Sequence, residues 1–386
     1  MGMGRTRVGV LGCGSVSDKY LPDLAASPYV ELVAVCDVVE ERVRQTARRH
    51  DIPSWHTDMD TFLARADFEL LINLTPMRLH APLNLKALRA GRHVFCEKPL
   101  ATTLAAADEL LEEAARRGLT LCAAPNAVLS PTFRAAAEAI AAGELGVITA
   151  ARGRYGSGGP HEPWFYQAGG GSLFDLGVYN VATLTGLLGP AKGVVALSGV
   201  AVPRRIVGGT EIAVEADDNT MLLLDFGSGV YAVIQTGYAY PMYPSSHRGV
   251  YDEHSTIELC GTRGVINWLG YDWAPRGIDV RTVERETWER RATDQQGYTW
   301  QCGASYLARC LAEGAKPLMT VEHAYHTLEI MLAALEAARS GRRVDIRSTF
   351  PWPIVNGVAV DGATLGGSGD TGDGAIRQGA REVIER

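Results

Sequence analysis

Lysine occurs at Lys19, Lys86, Lys98, Lys192 and Lys316, and arginine carries the rest of the positive charge. Lys98 stands out among them, because Cys96-Glu97-Lys98-Pro99 closes an apolar run that reads as a strand. The carboxyl end of a strand is where open α/β sheets hold their ligands. A partly buried lysine can release a proton there, which arginine does not do in proteins. Lys98 therefore suits acid/base work, with a surface lysine on a turn before proline as the alternative. Asp175 and Tyr179 lie four apart in a segment that reads as a helix from Ser172 to Leu188, so both side chains can face one cleft. A phenol can pass a proton when a nearby ammonium stabilises its phenolate, and a carboxylate can orient a hydroxyl. The alternatives are a packed core aromatic for Tyr179 and a helix cap or salt bridge for Asp175.

A second group of residues suits a dinucleotide. Val8-Gly9-Val10-Leu11-Gly12-Cys13-Gly14-Ser15-Val16-Ser17 runs from a strand through a glycine turn into a helix. Gly12 permits the tight turn, and Gly14 lets the backbone approach a pyrophosphate seated on the helix N-terminus. Ser17 stands where the fingerprint has its third glycine. Cys13, Ser15 and Val16 complete the loop. Asp37 ends the second strand about 20 residues further on, placed to accept from the adenosine ribose and to repel a 2′-phosphate. That favours NAD over NADP, and a helix-capping role for Asp37 is compatible with it. Leu74-Thr75-Pro76 follows the fourth strand and lines the same groove. His80 opens the next helix, where capping or packing competes with a part in the site. Glu97 and Asn126, each just past a strand, complete the set of candidate cofactor contacts. Asn126 is also a candidate substrate contact.

The elements that must position these residues follow from periodicity. Strand-like runs at Arg7–Leu11, Glu31–Cys36, Leu70–Leu74, Val94–Cys96 and Thr120–Ala123 alternate with amphipathic helix-like segments at Ser17–Ala26, Glu40–His50, Met59–Arg65, Ala81–Ala90 and Leu104–Arg117. Short apolar strands separated by helices make βαβ units and a parallel sheet. A short strand at Ser54–His56 completes the doubly wound pattern. Beyond Ala123 come a helix at Thr132–Ala142, a strand at Val147–Arg154, a Gly/Pro loop and the Ser172–Leu188 helix. Strands at Val194–Val202, Thr220–Phe226, Val230–Thr236, Ser255–Leu259 and Gly264–Trp268, joined by tight turns, indicate a mostly antiparallel sheet. Two late helices, Ala304–Glu313 and Val321–Ser340, suit packing back on the first domain. The expected organisation is α/β: a Rossmann domain over residues 1–124 and an α+β domain with a large open sheet over residues 125–350. A Gly-rich, flexible tail covers residues 351–386.

Composition narrows the function classes. The 386 residues carry a net charge of −7, which argues against a nucleic-acid surface. No apolar run approaches the roughly 20 residues that span a bilayer. The first residues lead directly into a strand, so no leader segment is expected. Seven cysteines without CxxC spacing point to reduced thiols in a cytoplasm and to no metal site.

Gly12-Cys13-Gly14, Thr75-Pro76 with His80, Cys96-Glu97-Lys98-Pro99-Leu100 and Gly169-Gly170-Gly171-Ser172-Leu173-Phe174-Asp175-Leu176-Gly177 occur in this order. Together they resemble the Gfo/Idh/MocA oxidoreductases over about residues 6–345. The resemblance implies a Rossmann domain followed by a domain whose open sheet forms homodimer or homotetramer contacts. It implies NAD-dependent hydride transfer at a secondary alcohol of a sugar, glycoside or cyclitol. It gives Lys98 the role of acid/base residue or its close partner, and makes Asp175 the aspartate of the second motif. Many members carry histidine four residues after that aspartate, whereas this chain has Tyr179, as do members resembling glucose–fructose oxidoreductase and dihydrodiol dehydrogenase. Lys98 and Tyr179 are then expected to share the proton, with Asp175 positioning the substrate. Trp164, with Phe165 and Tyr166, offers aromatic faces to a sugar. Arg152, Tyr155 and His161 offer hydroxyl contacts. The same motifs also serve a redox-neutral enzyme that retains its NAD, or a sensor that keeps the fold without the reaction.

Overall fold

The computed structural model describes residues 4–240, 255–355 and 358–359. It divides into two compact units, Met1–Asn126 with Thr299–Leu328 and Ala127–Tyr298 with Glu329–Arg386.

The first unit is built on β1 (Thr6–Leu11), α1 (Ser17–Ala26), β2 (Val30–Cys36), α2 (Glu40–Arg49), β3 (Ser54–His56), α3 (Met59–Arg65), β4 (Leu70–Asn73), α4 (His80–Arg89), β5 (His93–Cys96), α5 (Leu104–Arg117) and β6 (Leu121–Ala123). Its six strands are parallel in the order β3-β2-β1-β4-β5-β6, the doubly wound order expected from the alternating periods. Strands β4 and β6 are buried along their whole length, which is why they read as unbroken apolar runs rather than as alternation. Asp58 caps α3 through Thr61 N–H, and Thr103 caps α5 through Ala106 N–H. The late helix Gly303–Glu313 belongs to this unit, and Thr6 Oγ1 donates to its Ala308 carbonyl at 2.8 Å.

The second unit contains α6 (Pro131–Ala141), β7 (Ile148–Gly156), α7 (Val178–Leu188), β8 (Gly193–Gly199), β9 (Arg204–Val207), β10 (Thr210–Ala213), β11 (Asn219–Gly227), β12 (Val230–Gly237), β13 (Ser255–Gly261), β14 (Gly264–Tyr271), β15 (Ala274–Thr282), β16 (Arg285–Arg291) and β17 (Val344–Asp345). Nine strands form one sheet in the order β16-β15-β14-β13-β7-β12-β11-β8-β17. Every pairing in it is antiparallel except β7 with β12, so the sheet is mixed as well as mostly antiparallel. The hairpin β9–β10 stands outside that sheet and was not read from the sequence, although Gly208-Gly209 at its turn is a two-residue hairpin signal. Strands β15 and β16 were also missed. β16 is rich in charge and almost wholly exposed, so no apolar alternation marks it. The expected glycine-rich tail lies outside the described residues from position 360 onward.

One face of the large sheet is buried and the other is not. Along β7, Ala151, Gly153 and Tyr155 are buried while Arg152 and Arg154 are exposed. On the open face, Val195, Leu197, Met221, Leu223, Tyr231 and Val233 are exposed apolar residues on neighbouring strands.

Candidate active site

In the first unit the candidate residues gather at the carboxyl ends of β1, β2, β4, β5 and β6. The glycine loop is held mainly by backbone. Gly12 N–H donates to Cys36 O at 2.8 Å, and Gly12 has φ of +96°. A Cβ there would stand 2.9 Å from the Leu74 carbonyl, so any side chain would push the β1 and β4 ends apart. At Gly14 nothing lies within 4 Å of where a Cβ would be, so the loop leaves an open cradle. Ser17, buried in place of the third glycine, donates to Gly14 O at 2.6 Å. This loop and the start of α1 fit a pyrophosphate.

Asp37 is 7% exposed and accepts from Cys13 N–H at 2.8 Å and Val39 N–H at 2.9 Å, with Arg42 at 3.4 Å. It thus joins the glycine loop to the start of α2 and keeps lone pairs for a ribose hydroxyl. Burial pushes the neighbouring Cys13 thiol up to about 12, with Asp37 adding to the effect, so it stays protonated. Thr75 is set by Asn73, whose Oδ1 takes both Thr75 N–H and Thr75 Oγ1–H; Asn73 in turn donates to Asn84 at 2.7 Å. His80 is buried, with its two ring nitrogens 2.7 Å from the carbonyls of Thr75 and Pro99. Burial pulls its pKa down and the two carbonyls oppose this. Its side chain braces two loops of the groove from behind, with both nitrogens committed. Glu97 likewise has both oxygens engaged, by Tyr20 Oη at 2.5 Å and Lys98 N–H at 2.9 Å. Lys98 itself is half-buried just past β5, and Asn126 is buried just past β6.

The second unit holds Asp175 and Tyr179. The expected helix is present, but its start is wider than α-helical: Leu173–Gly177 forms a π turn that runs into α7. Such turns recur at functional sites. From Gly171 to Leu187 every residue is buried except Asp175 and Tyr179. The polar pair is therefore the sole opening in an otherwise sealed segment. Asp175 Oδ2 accepts from Tyr238 Oη at 2.9 Å. Tyr238 is itself buried, and burial beside Asp175 raises its pKa well above the usual phenol value. The Tyr179 ring lies 6.1 Å from Tyr155, which stacks on Tyr271 at 4.6 Å, which stacks on Trp273 at 5.4 Å.

Three residues without a sequence motif shape this region. Asp217 takes Ser172 Oγ–H at 2.7 Å, Leu173 N–H at 3.0 Å and Thr220 Oγ1–H at 3.0 Å, and burial raises its pKa. It caps the turn that carries Asp175. Gly171, at φ of +104°, has no room for a Cβ, which would stand 2.1 Å from Asp217 Oδ1. Tyr238 holds Asp175, as described. Asp272, fully buried, accepts from Asn180 Nδ2 at 2.9 Å and Thr183 Oγ1 at 3.3 Å. Burial pushes its carboxyl up to about 7. Asp272 Oδ1 and Asn180 Oδ1 have no partner. A protonated Oδ1 can donate where a carboxylate cannot.

Tyr155 and Tyr179 are thus brought together, as two members of one aromatic ladder. Tyr155 is wholly buried in that ladder, so it supports the site rather than lining an open surface. Arg152 is a correction. It was grouped with Tyr155 as a substrate contact, but the period of two along β7 sends it to the open face, near Glu258 at 3.7 Å. Trp164 is part-buried on a single helical turn, Pro163–Tyr166, stacked on Phe165. His161 is exposed.

Among the described residues no group of three or more His, Cys, Asp or Glu is placed to hold a metal ion, and no helix is long and apolar enough to cross a membrane.

Comparison with known proteins gives a consistent result. Residues 6–124 match the model described as oxidoreductase family, NAD-binding Rossmann fold, and residues 133–267 match the GFO/IDH/MocA C-terminal domain. Trans-1,2-dihydrobenzene-1,2-diol dehydrogenase of Bos taurus is 26% identical over 359 residues, covering 89% of this chain and 98% of the relative. The dTDP-3,4-didehydro-2,6-dideoxy-alpha-D-glucose 3-reductase of Streptomyces violaceoruber is 33% identical over 236 residues, 60% of this chain and 66% of the relative. Levoglucosan dehydrogenase, solved in complex with NADH, superposes with a TM-score of 0.77 at 21% identity, covering 89% of this chain and 100% of that one.

Proposed function

The chain belongs to the GFO/IDH/MocA family of NAD-binding oxidoreductases, and from that premise we propose that it moves a hydride between NAD and a secondary alcohol or ketone carbon of a sugar, glycoside or cyclitol. The observation that carries the reading is the sealed segment from Gly171 to Leu187, open only at Asp175 and Tyr179. A carboxylate and a phenol four apart, half-buried on this element, are suited to a substrate hydroxyl. The relatives support the substrate class, since the diol dehydrogenase, the dTDP-sugar reductase and the levoglucosan enzyme are each named for a cyclic alcohol or ketone.

NAD, when bound, accepts or supplies the hydride. The chain's own residues manage the proton and the fit. In oxidation the carbon loses a hydride and its hydroxyl loses a proton; Lys98 and Tyr179 take that proton, and reduction reverses the transfer. Asp175, held by Tyr238, orients the hydroxyl. The glycine loop, Asp37, the Thr75 loop and Asn126 bind the cofactor. Trp164 offers an aromatic face to the substrate ring.

The protein self-associates in this reading through the open sheet face, where Leu197 pairs with Met221, and Val195 with Leu223, as exposed apolar neighbours. Contiguous apolar exposure of this kind marks an interaction surface. Sedimentation of a Leu197→Glu, Leu223→Glu variant is expected to yield the monomer.

The direct test follows NADH formation by purified protein with added NAD and a panel of sugars, glycosides and cyclitols, beside Lys98→Ala. Turnover that vanishes in the variant supports the reading. Silence across the panel, with NAD released only on denaturation, would replace it with a redox-neutral reaction on a retained cofactor.

A further inference from the structure

The hairpin β9–β10 stands outside the large sheet, yet its Val207 is buried in one cluster with Tyr155, Tyr166, Leu176 and Tyr238, against which Tyr179 also packs. Arg205 of β9 does not follow its neighbours to the surface. Its side chain is 13% exposed, while Arg204 and Ile206 on either side of it are exposed. Arg205 Nη1 donates to Gly158 O at 3.1 Å, and Nη2 donates to Asp218 Oδ2 at 3.2 Å and to Tyr238 O at 3.0 Å. The guanidinium also lies over the Tyr166 ring, 5.4 Å from its centre. One side chain therefore joins four segments: the Gly/Pro loop after β7, the turn Pro163–Tyr166, the approach to β11 and the end of β12.

Two of these segments carry residues of the site. The turn Pro163–Tyr166 bears Trp164, and Tyr238 holds Asp175. Downstream, the turn is fastened by backbone, since Tyr166 O accepts from Glu215 N–H at 2.8 Å and Ala216 N–H at 3.1 Å. Upstream, its ties are side chains: Tyr166 Oη donates to Pro160 O at 2.9 Å, and Arg205 holds Gly158. Gly159, at φ of +94°, folds the loop so closely that a Cβ there would overlap Tyr166 Oη. At the other end of the guanidinium, Asp218 is wholly buried and also accepts from Ala201 N–H at 2.5 Å and Val202 N–H at 3.0 Å. A planar fork of charged donors can bind acceptors on separate segments at once. Lysine gathers its donors at one point, so it can keep Asp218 but not span to Gly158 as well.

We propose that Arg205 is a positioning residue that fixes the gap between the Trp164 face and the Asp175 carboxylate, and so sets which substrate rings the site admits. It acts through Trp164 on one side and through Tyr238 on the other. The inference rests on the proposed reaction at a ring alcohol, and it gives a task in specificity to a hairpin that no motif marks.

Steady-state kinetics with NAD and the panel of sugars, glycosides and cyclitols test it in wild type, Arg205→Lys, Trp164→Ala and the double variant. Arg205→Lys keeps a charge beside Asp218 and frees the loop at Gly158. For the best panel substrate it should raise KM roughly tenfold and hold kcat within about twofold. The preference for that substrate over the next best, as a ratio of kcat/KM, should fall severalfold. In the Trp164→Ala background the same change should move KM less than about twofold, because Arg205 reaches the substrate through Trp164. Melting temperature separates a change of fit from a loss of fold. Should the lysine variant melt below the assay temperature, Tyr166→Phe takes its place. That change frees the loop at Pro160, leaves Arg205 paired with Asp218, and is expected to raise KM about threefold at constant kcat. An unchanged KM and preference overturn the proposal, as does a KM effect as large without Trp164 as with it. A joint fall of kcat and melting temperature makes Arg205 a structural pin and overturns it too. Wild type that turns over nothing in the panel counts against the proposed reaction, and this role falls with it; turnover with a KM indifferent to Arg205 removes this role alone.

Discussion

The strand ends of the first unit and the Gly171–Leu188 segment of the second both gather polar side chains, and they hold them in opposite ways. At the strand ends much of the fastening is local, beside longer reaches such as Cys13 N–H to Asp37 and Tyr20 to Glu97. Glu97 binds the next residue's N–H, Asn73 and Asp37 each bind N–H groups two residues on, and His80 reaches a carbonyl five residues back. In the second unit the partners are remote: Asp217 lies 45 positions from Ser172, Tyr238 lies 63 from Asp175, and Asp272 lies 92 from Asn180. A locally fastened site needs a turn motif, and the motif is visible in the chain. A remotely fastened site needs the sheet to be in place first. The first should therefore lose function without losing structure when altered, and the second should lose both.

The largest effect expected is on chemistry alone. Lys98→Ala should lower kcat/KM by about 10²–10⁴ while ADP-ribose binding and thermal stability hold, as measured by titration and melting. A variant that also unfolds would break the contrast at its strongest point.

A pair of glycine substitutions tests it next. Gly171→Ala should cost about 2 kcal/mol or more in urea unfolding, because of its backbone conformation and the clash with Asp217. Gly14→Ala has open space and should leave stability nearly unchanged, yet weaken NADH about tenfold or more by filling the pyrophosphate cradle.

Asp272 sharpens the comparison through pH. Its carboxyl is pushed up to about 7 from an ordinary value of 3.8. Between those values the unfolded chain has lost the proton and the folded protein keeps it, so stability falls as pH rises through this window and levels off above it. Asp272→Asn, whose amide oxygen can still accept from Asn180 Nδ2 and which does not titrate, should remove that slope. The expected difference in unfolding free energy between pH 5 and pH 8 is about 1–3 kcal/mol. A variant as pH-dependent as wild type would sink the assignment of a neutral acid.

The smallest effect belongs to Tyr238→Phe. Losing one hydrogen bond to Asp175 should cost about 1–2 kcal/mol of stability and roughly tenfold in kcat/KM. In an Asp175→Asn background the same change should add little to the kinetic loss, since the two act as one unit.

The same contrast explains how much was legible. The six-strand sheet follows from a change of period between short apolar runs and amphipathic helices, and α1, α3 and α5 begin and end where the pattern places them. Lys98, Asp37 and the glycine loop lie at strand ends because the fold class has only one place for them. In the second unit, Asp175 and Tyr179 are marked as candidates by their spacing, and Trp164 by its type. Arg152 was misassigned because residue type does not show which face of β7 a position takes. Asp217, Tyr238 and Asp272 carry no local mark, since each acts on a residue far away in the chain.

What the chain by itself determined is thus the doubly wound unit, its cofactor loop and the helix bearing a carboxylate and a phenol. Periodicity and turn chemistry are local properties, written within a dozen residues. What only the tertiary structure decided is which groups are buried, which are left unpartnered and which hold another in place. The raised pKa of Asp272 and the grip of Tyr238 on Asp175 exist only once distant segments exclude water together.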